Sequence, residues 1–440
     1  MALLFWISVA GVAYVFVGYP ALLVLWARLR PRPVYCGLRI ADCGSIADCG
    51  SPNADSRDGS NPQSNPQSAI RNPQFGEPEF GVSVVIAARN EASRLAARID
   101  NLVSLDYPAG RRQIIVVSDG STDDTLDVLA RYRGFVDVVA VPPGGKALAL
   151  NAGVARARFD IVVFADARQV FAPNALRELV APFADRSVGA VTGELLLDAE
   201  SPCRRTGRDR RAIERRMGAR ETGSDRREEE RRRRLRSTIA DGVGLYWKYE
   251  KQLRRLESSI ASTLGATGAI YAIRRALYRP LPADTILDDV LTPMRVVLAG
   301  HRVVFNERAR AFDRAAGDAD AEARRKIRTL AGNYQILALE PRLLLPWRNP
   351  VWLQYLSHKL GRLAVPYAML AIFFASLVLT GVSGTIVSVY GAALSAQVLL
   401  YLLAGAGAVL ELAARRDDVQ IDASASPVRV RTGEARREIA

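Results

Sequence analysis

Three short apolar runs, Val82 to Ala87, Ile114 to Val117 and Ile161 to Ala165, each pass directly into a polar cluster: ARNE at 88–91, SDGSTDDT at 118–125, and Asp166. Runs this short and this rich in Val and Ile, separated by stretches with helical patterning, predict parallel strands buried on both faces of an α/β sheet. Such sheets bind ligands beyond the carboxyl ends of their strands, so the polar clusters mark the expected site.

The chain has 440 residues, more than one ordinary domain, and much of the remainder is apolar. Ala2 to Ala27 holds no charged residue, and about 20 apolar residues suffice to cross a bilayer as a helix. Leu363 to Val382 and Ile386 to Leu410 are two further candidates, joined by the uncharged Ser383 to Thr385. A cleaved secretory signal would carry positive charge ahead of a shorter apolar core, whereas here Arg28, Arg30 and Arg32 follow the first segment. Lys359 and Arg362 precede the second and Arg415 and Arg416 follow the third. The positive-inside rule then predicts a multi-pass protein of the inner (plasma) membrane with residues 28–362 in the cytoplasm.

Two stretches cannot build a core. Residues 36–74 repeat IADCGS and NPQS and contain few large apolar side chains, which predicts a low-complexity linker. Glu200 to Arg236 carries 15 Arg against 8 acidic residues, half of the chain's net charge of +14. Because the charge is concentrated in one segment without interleaved aromatics, it reads as a solvated insertion, with anionic lipid as a second partner and nucleic acid as an unlikely one. Cys36, Cys43, Cys49 and Cys203 all fall in these two stretches, with no CxxC pair or neighbouring His to suggest zinc. The expected division is a membrane helix at 1–27, the linker at 28–79 and a folded domain at 80–340 carrying the 200–236 insertion. An interfacial segment at 341–362, membrane helices at 363–382 and 386–410, and a cytoplasmic tail at 411–440 complete it.

His301 and His358 are the only histidines, the former in a turn leading a strand and the latter beside an apolar segment. That disfavours Ser-His-Asp and Cys-His chemistry, and the absence of GxxxxGK[ST] disfavours P-loop phosphoryl transfer. Carboxylates remain. Asp119 stands in a turn of small hydrogen-bonding residues, where it can accept a ring N–H of a nucleobase or simply cap the following helix. Lys146 follows Gly144 and Gly145, which allow close backbone approach to a ligand, and its ammonium can meet diphosphate oxygens. Asp166 ends the third strand, placed to hold a divalent cation or to cap a turn. Asp288 and Asp289 are adjacent carboxylates ahead of an amphipathic stretch; mutual repulsion can raise one of them into the range of a general base, and helix capping is the plainer account. Arg325 and Arg328 share a helix face that can grip phosphate or merely face water.

Taken in order, VSVVIAARNE, LDYP (Leu105 to Pro108), IIVVSDGSTDDT, GGKALALNAG, IVVFADA, GATGAIYAIRR (Gly265 to Arg275), ILDDV and RKIRT resemble the inverting nucleotide-sugar transferases of glycosyltransferase family 2 over about residues 80–340. The flanking helices resemble the membrane-bound branch that includes poly-N-acetylglucosamine, hyaluronan and cellulose synthases. The resemblance implies a GT-A type domain with a central, mostly parallel sheet flanked by transmembrane helices. It implies Asn90, Glu91 and Asp119 at the base and ribose, Lys146 near the diphosphate, and Asp166 on ribose or a Mg²⁺ or Mn²⁺ ion. Asp289 becomes the general base, with Asp288 beside it, and Arg325 to Thr329 takes the place of a QxxRW element, with Arg328 and Arg325 its basic residues.

Three positions depart from the family pattern. A DxD motif wants an acid at 168, where Arg168 stands; Ala87 replaces a proline of the first motif; Arg325 and Thr329 replace the Gln and Trp of QxxRW. The implied function is transfer of a sugar, from a UDP-sugar in preference to other donors, to a lipid-linked or polysaccharide acceptor at the cytoplasmic face. The alternative is a membrane binding or scaffold protein built on a decayed transferase fold.

Overall fold

The computed structural model describes residues 1–32, 80–197, 247–313, 319–383 and 388–424. Most of the expected linker, the Arg-rich insertion and all four cysteines lie outside them. The chain forms two compact units, Gly18–Leu360 and the combination of Met1–Val17 with Gly361–Ala440.

The larger unit is built on one eight-stranded mixed sheet in the order β3-β2-β1-β4-β7-β6-β8-β5. The strands are β1 (Val82–Ala88), β2 (Arg112–Asp119), β3 (Asp137–Val141), β4 (Ile161–Ala165), β5 (Val170–Phe171), β6 (Val188–Leu197), β7 (Ile270–Arg274) and β8 (Arg302–Asp313). Neighbours β3, β2, β1 and β4 run parallel; β7 is antiparallel to both β4 and β6, β6 and β8 are parallel, and β5 is antiparallel to β8.

Alternation along the parallel strands explains why their sequences are apolar throughout. Val84 and Ile86 of β1, Val116 of β2 and Val163 of β4 face one core, which includes Leu95, Ile99 and Leu102 of the helix Ala92–Val103. Val85, Ile115, Val117, Val162 and Phe164 face the other, which includes Ala147, Leu150 and Val154 of the helix Lys146–Arg156. A strand covered on both sides has no solvent face to mark with polar residues. Gly153 allows the second helix to press on the sheet, since a Cβ there would lie 2.4 Å from Val85 Cγ1.

Register brings the strand ends level. Ala88 pairs with Ser118, Ile86 with Ala165, and Asp119 with Val141. Residues 89–91, Asp119, the 142–146 loop and Asp166 therefore leave the sheet along a single edge.

Among the described residues three helices are long and apolar enough to cross a membrane: Ala2–Leu29, Trp352–Val382 and Val389–Val409. The second begins at Trp352, where the sequence suggested an interfacial segment as far as 362. In the smaller unit Phe5 packs with Ile372 and Ala375 and edge-on to Tyr390 at 5.0 Å. In the larger unit Glu257 accepts hydrogen bonds from Tyr19 Oη at 2.8 Å and lies 2.6 Å from His358 Nδ1, which gives His358 a structural partner in place of a catalytic one.

Candidate active site

The first two strand-end turns are tied to each other. Asn90 adopts a left-handed backbone conformation, φ +55°, that Asn tolerates better than most residues. This turns its Oδ1 toward the second turn, where it accepts the Thr122 backbone N–H at 2.8 Å, while its own N–H reaches Ser121 Oγ at 3.2 Å. The Glu91 N–H donates to Thr125 Oγ1 at 3.0 Å, and its carboxylate pairs with Arg94 at 3.1 Å. Capping in this region falls to Asp123, whose oxygens accept the N–H groups of Ala92 and Thr125. The Thr125 hydroxyl and these N–H groups hold the Asp123 carboxyl below its ordinary value.

Asp119 does something else. It is the last residue of β2, 4% exposed, rather than a member of the turn. Its Oδ1 accepts the Gly144 N–H at 2.7 Å, and both its oxygens lie within 3.1 Å of the Gly145 nitrogen. The strand-end carboxylate thus shapes the loop that delivers Lys146. Gly145 can follow because its φ of +89° is open to glycine, and Gly120, at φ +58°, passes where a Cβ would meet Pro143 at 2.7 Å.

Lys146 is the hub. Its ammonium stands 3.2 Å from Asp166 Oδ1 and 3.2 Å from Asp288 Oδ1. Burial alone would lower its proton affinity, but Asp288, Asp166 and Asp289 outweigh burial and raise it, so the ammonium is permanently charged. Asp288 is buried, with Tyr271 Oη 3.4 Å from its second oxygen. Asp288 and Asp289 open the helix Asp288–Leu298, where acidic side chains also suit the positive end of the backbone dipole. Burial, then the neighbouring Asp288, pushes the Asp289 carboxyl up to about 6 against the pull of Lys146 and Lys359. Proximity within the 265–269 turn is tight: the Ala266 N–H donates to the Asp289 carbonyl at 2.7 Å, and a Cβ on Gly268 would sit 2.9 Å from Asp289 Oδ2.

The basic helix Ala319–Leu339 reaches this region through Arg328, whose Nη2 donates to the Ile286 carbonyl at 3.3 Å. Arg325 has an exposed side chain one turn earlier, and its carbonyl accepts the Thr329 hydroxyl at 2.9 Å. Gln335, which the sequence reading passed over, holds the same loop through the Ile286 N–H at 2.9 Å and the Asp284 carbonyl at 2.8 Å. Tyr271, which faces Asp288, lies inside the GATGAIYAIRR motif. Arg98 was also missed, although a charge on the apolar face formed by Leu95, Ile99 and Leu102 is visible in the sequence. It is 2% exposed, stacks 4.1 Å over the Phe171 ring, and is pulled down to about 9 by burial, with Asp166 opposing.

A resident divalent ion fits this donor set poorly. Among the described residues no group of three or more His, Cys, Asp or Glu side chains could hold a metal. Asp166 is the one acid of the expected metal motif, and Arg168 at the second position turns away to pair with Asp313 at 2.9 Å.

Residues 83–255 match the model of the family described as "Glycosyl transferase family 2". A poly-beta-1,6-N-acetyl-D-glucosamine synthase of Staphylococcus epidermidis is 32% identical over 26% of this chain and 28% of its own length. An N-acetylglucosaminyltransferase of Mesorhizobium japonicum is 36% identical over 28% of this chain and 30% of its own. The chain thus aligns with under a third of the length of these curated relatives. The structure of a mannosyltransferase from Pyrobaculum calidifontis, in complex with GDP-Man and Mn²⁺, aligns with 92% of this chain and 97% of its own at a TM-score of 0.55 and 20% identity, a likeness of fold. From Ser83 onward the first five sequence motifs fall on residues 83–255, the stretch of the chain that matches glycosyl transferase family 2.

Proposed function

We propose that this chain is a membrane-anchored inverting glycosyltransferase, taking a sugar from a nucleotide donor, UDP-linked before other bases, to a lipid-linked or glycan acceptor at the cytoplasmic face. The observation that carries the reading is the carboxyl of Asp289, raised to about 6 beside a permanently charged Lys146. A base must be ionised at working pH yet hold a proton willingly, and a carboxyl near 6 meets both needs. In this reading Asn90, Glu91 and Asp119 form the nucleoside end, Lys146 and Arg328 receive the diphosphate, and Asp166 contacts ribose or the diphosphate's neighbours. Asp289 removes the acceptor proton as the hydroxyl oxygen attacks the anomeric carbon, and the bond pair leaves with the diphosphate. Holding donor and acceptor in line supplies much of the rate. A divalent ion on Asp166, implied by the family resemblance, takes no step in this scheme, given the donor set.

The test is release of UDP or GDP by the purified full-length chain from a panel of nucleotide sugars with lipid and glycan acceptors. UDP-N-acetylglucosamine leads the panel because two relatives are named for that sugar, and GDP-mannose enters because the solved relative holds it. Release stimulated by an acceptor supports the reading; nucleotide binding without turnover on any donor would favour the scaffold alternative.

Two further outcomes follow from the base. Turnover should fall about tenfold per unit as pH drops below about 6, because protonated Asp289 cannot accept a second proton. A pH–rate profile flat down to pH 4 would remove Asp289 from the role. Gly268→Ala should lower kcat about tenfold with donor affinity unchanged, since its Cβ would displace Asp289 Oδ2 from a 2.9 Å approach. Unaltered kcat in this variant would show that the carboxylate position is not critical.

A further inference from the structure

We propose that this transferase turns over without a bound divalent cation, the Lys146 ammonium standing where a metal would and serving as counter-charge to the departing diphosphate. The inference rests on the nucleotide-sugar reading above and adds to it how the leaving group is neutralised.

Hard divalent cations take six or more oxygen ligands, usually anchored by two or more carboxylates or by one carboxylate and the phosphates themselves. The carboxylates that converge here already face a cation. Asp166 Oδ1 and Asp288 Oδ1 each lie 3.2 Å from Lys146 Nζ, and Tyr271 Oη is 3.4 Å from the other Asp288 oxygen. A divalent ion seated between Asp166 and Asp288 would have to expel the ammonium or bear its repulsion at close range. A second positive charge, the buried Arg98 guanidinium, also acts on Asp166 electrostatically. The acid that would share a metal with it is replaced by Arg168, whose guanidinium is 2.9 Å from Asp313, and Gln169 Nε2 secures the same carboxylate at 3.0 Å. Converting residue 168 to a ligand would therefore break an existing pair.

Lys146 is also mounted as a diphosphate ligand should be. It is the first residue of its helix, behind two glycines whose N–H groups are fixed by Asp119. A compact ammonium at a helix start adds its charge to the positive end of the backbone dipole. In the reaction the anomeric C–O bond to the diphosphate breaks as the C–O bond to the acceptor forms. The electron pair passes to the diphosphate oxygen facing Lys146, and the acceptor proton passes to Asp289. Charge and atoms balance with no ion added.

The experiment uses the full-length chain, stripped of metal and kept in detergent, with UDP as probe and GDP run in parallel. Calorimetry should give the same nucleotide affinity, within about threefold, in chelator and in Mn²⁺, and Lys146→Met should weaken binding in both by about tenfold to a hundredfold, the worth of a charge-assisted contact. The paramagnetic spectrum of Mn²⁺ with UDP should be the same with and without the protein. Donor turnover should proceed in chelator at a rate within about twofold of that in Mn²⁺. A tenfold or greater gain in affinity or turnover on adding Mn²⁺, or a bound Mn²⁺ signal that needs both UDP and the protein, overturns the proposal while leaving the transferase reading intact. Failure of both nucleotides to bind under every condition overturns the two together.

Discussion

Asp289→Asn is expected to leave donor binding within about twofold of wild type and to lower turnover by a factor on the order of 100 to 10,000. The amide keeps the size of the carboxylate and so keeps the close fit against Gly268, but it cannot take a proton from an acceptor hydroxyl. Lys146 retains Asp166 and Asp288, so the diphosphate end should be undisturbed. Stability separates this loss from misfolding. The Asp289 carboxyl is raised from 3.8 to about 6 by burial and by Asp288. The folded state therefore binds its proton more tightly than the unfolded chain, and the stabilisation this gives is present below 3.8 and lost as pH rises through about 6. At neutral pH the ionised group opposes folding, and the variant should melt above wild type. Wild-type turnover in the variant would exclude Asp289. Asp288 would then be the remaining candidate, although both its oxygens are already engaged.

The strands and the order of the motifs were legible because each is local: a two-sided buried strand is an unbroken apolar run, and the polar residues start where the sheet stops. Asp119 has, beside the nucleotide contact the sequence suggests, a structural role in the loop ahead of Lys146. Nothing local indicates that its carboxylate turns toward Gly144 and Gly145, 25 and 26 residues onward; that contact exists only because β2 and β3 are adjacent. The convergence of Lys146, Asp166 and Asp288 is non-local in the same way, joining a helix start, a strand end and a helix that begins more than 100 residues later. Arg325 and Arg328 share a face by spacing, but the contact of Arg328 with the loop carbonyl of Ile286 is not legible from it. Membrane-helix candidacy follows from composition, whereas the start of the second helix at Trp352 does not, because residues 352–362 include His358, Lys359 and Arg362.

Asp119→Ala should cost both nucleotide affinity and stability, and the two losses have one origin. Removing the carboxylate leaves the Gly144 and Gly145 N–H groups without the acceptor that now holds both. A buried donor left unpaired costs about 1–3 kcal/mol, and two of them set an upper bound of a few kcal/mol. The glycines are only partly buried, so water entering a loosened loop can recover part of this. Loosening is itself the functional cost, because Lys146 follows immediately and loses its fixed approach to Asp166 and Asp288. Affinity for the nucleotide should fall on the order of 100-fold, from the displaced ammonium together with any bond Asp119 makes to the base. Asp119→Asn separates these contributions. Its amide oxygen can still accept one glycine N–H, so stability should return most of the way, while a base that requires a carboxylate acceptor would still bind weakly. Calorimetry with UDP, paired with thermal melts of both variants without nucleotide, reads the two effects independently. If Asp119→Ala bound UDP as wild type does, Asp119 would be neither a nucleotide ligand nor the determinant of the Lys146 loop.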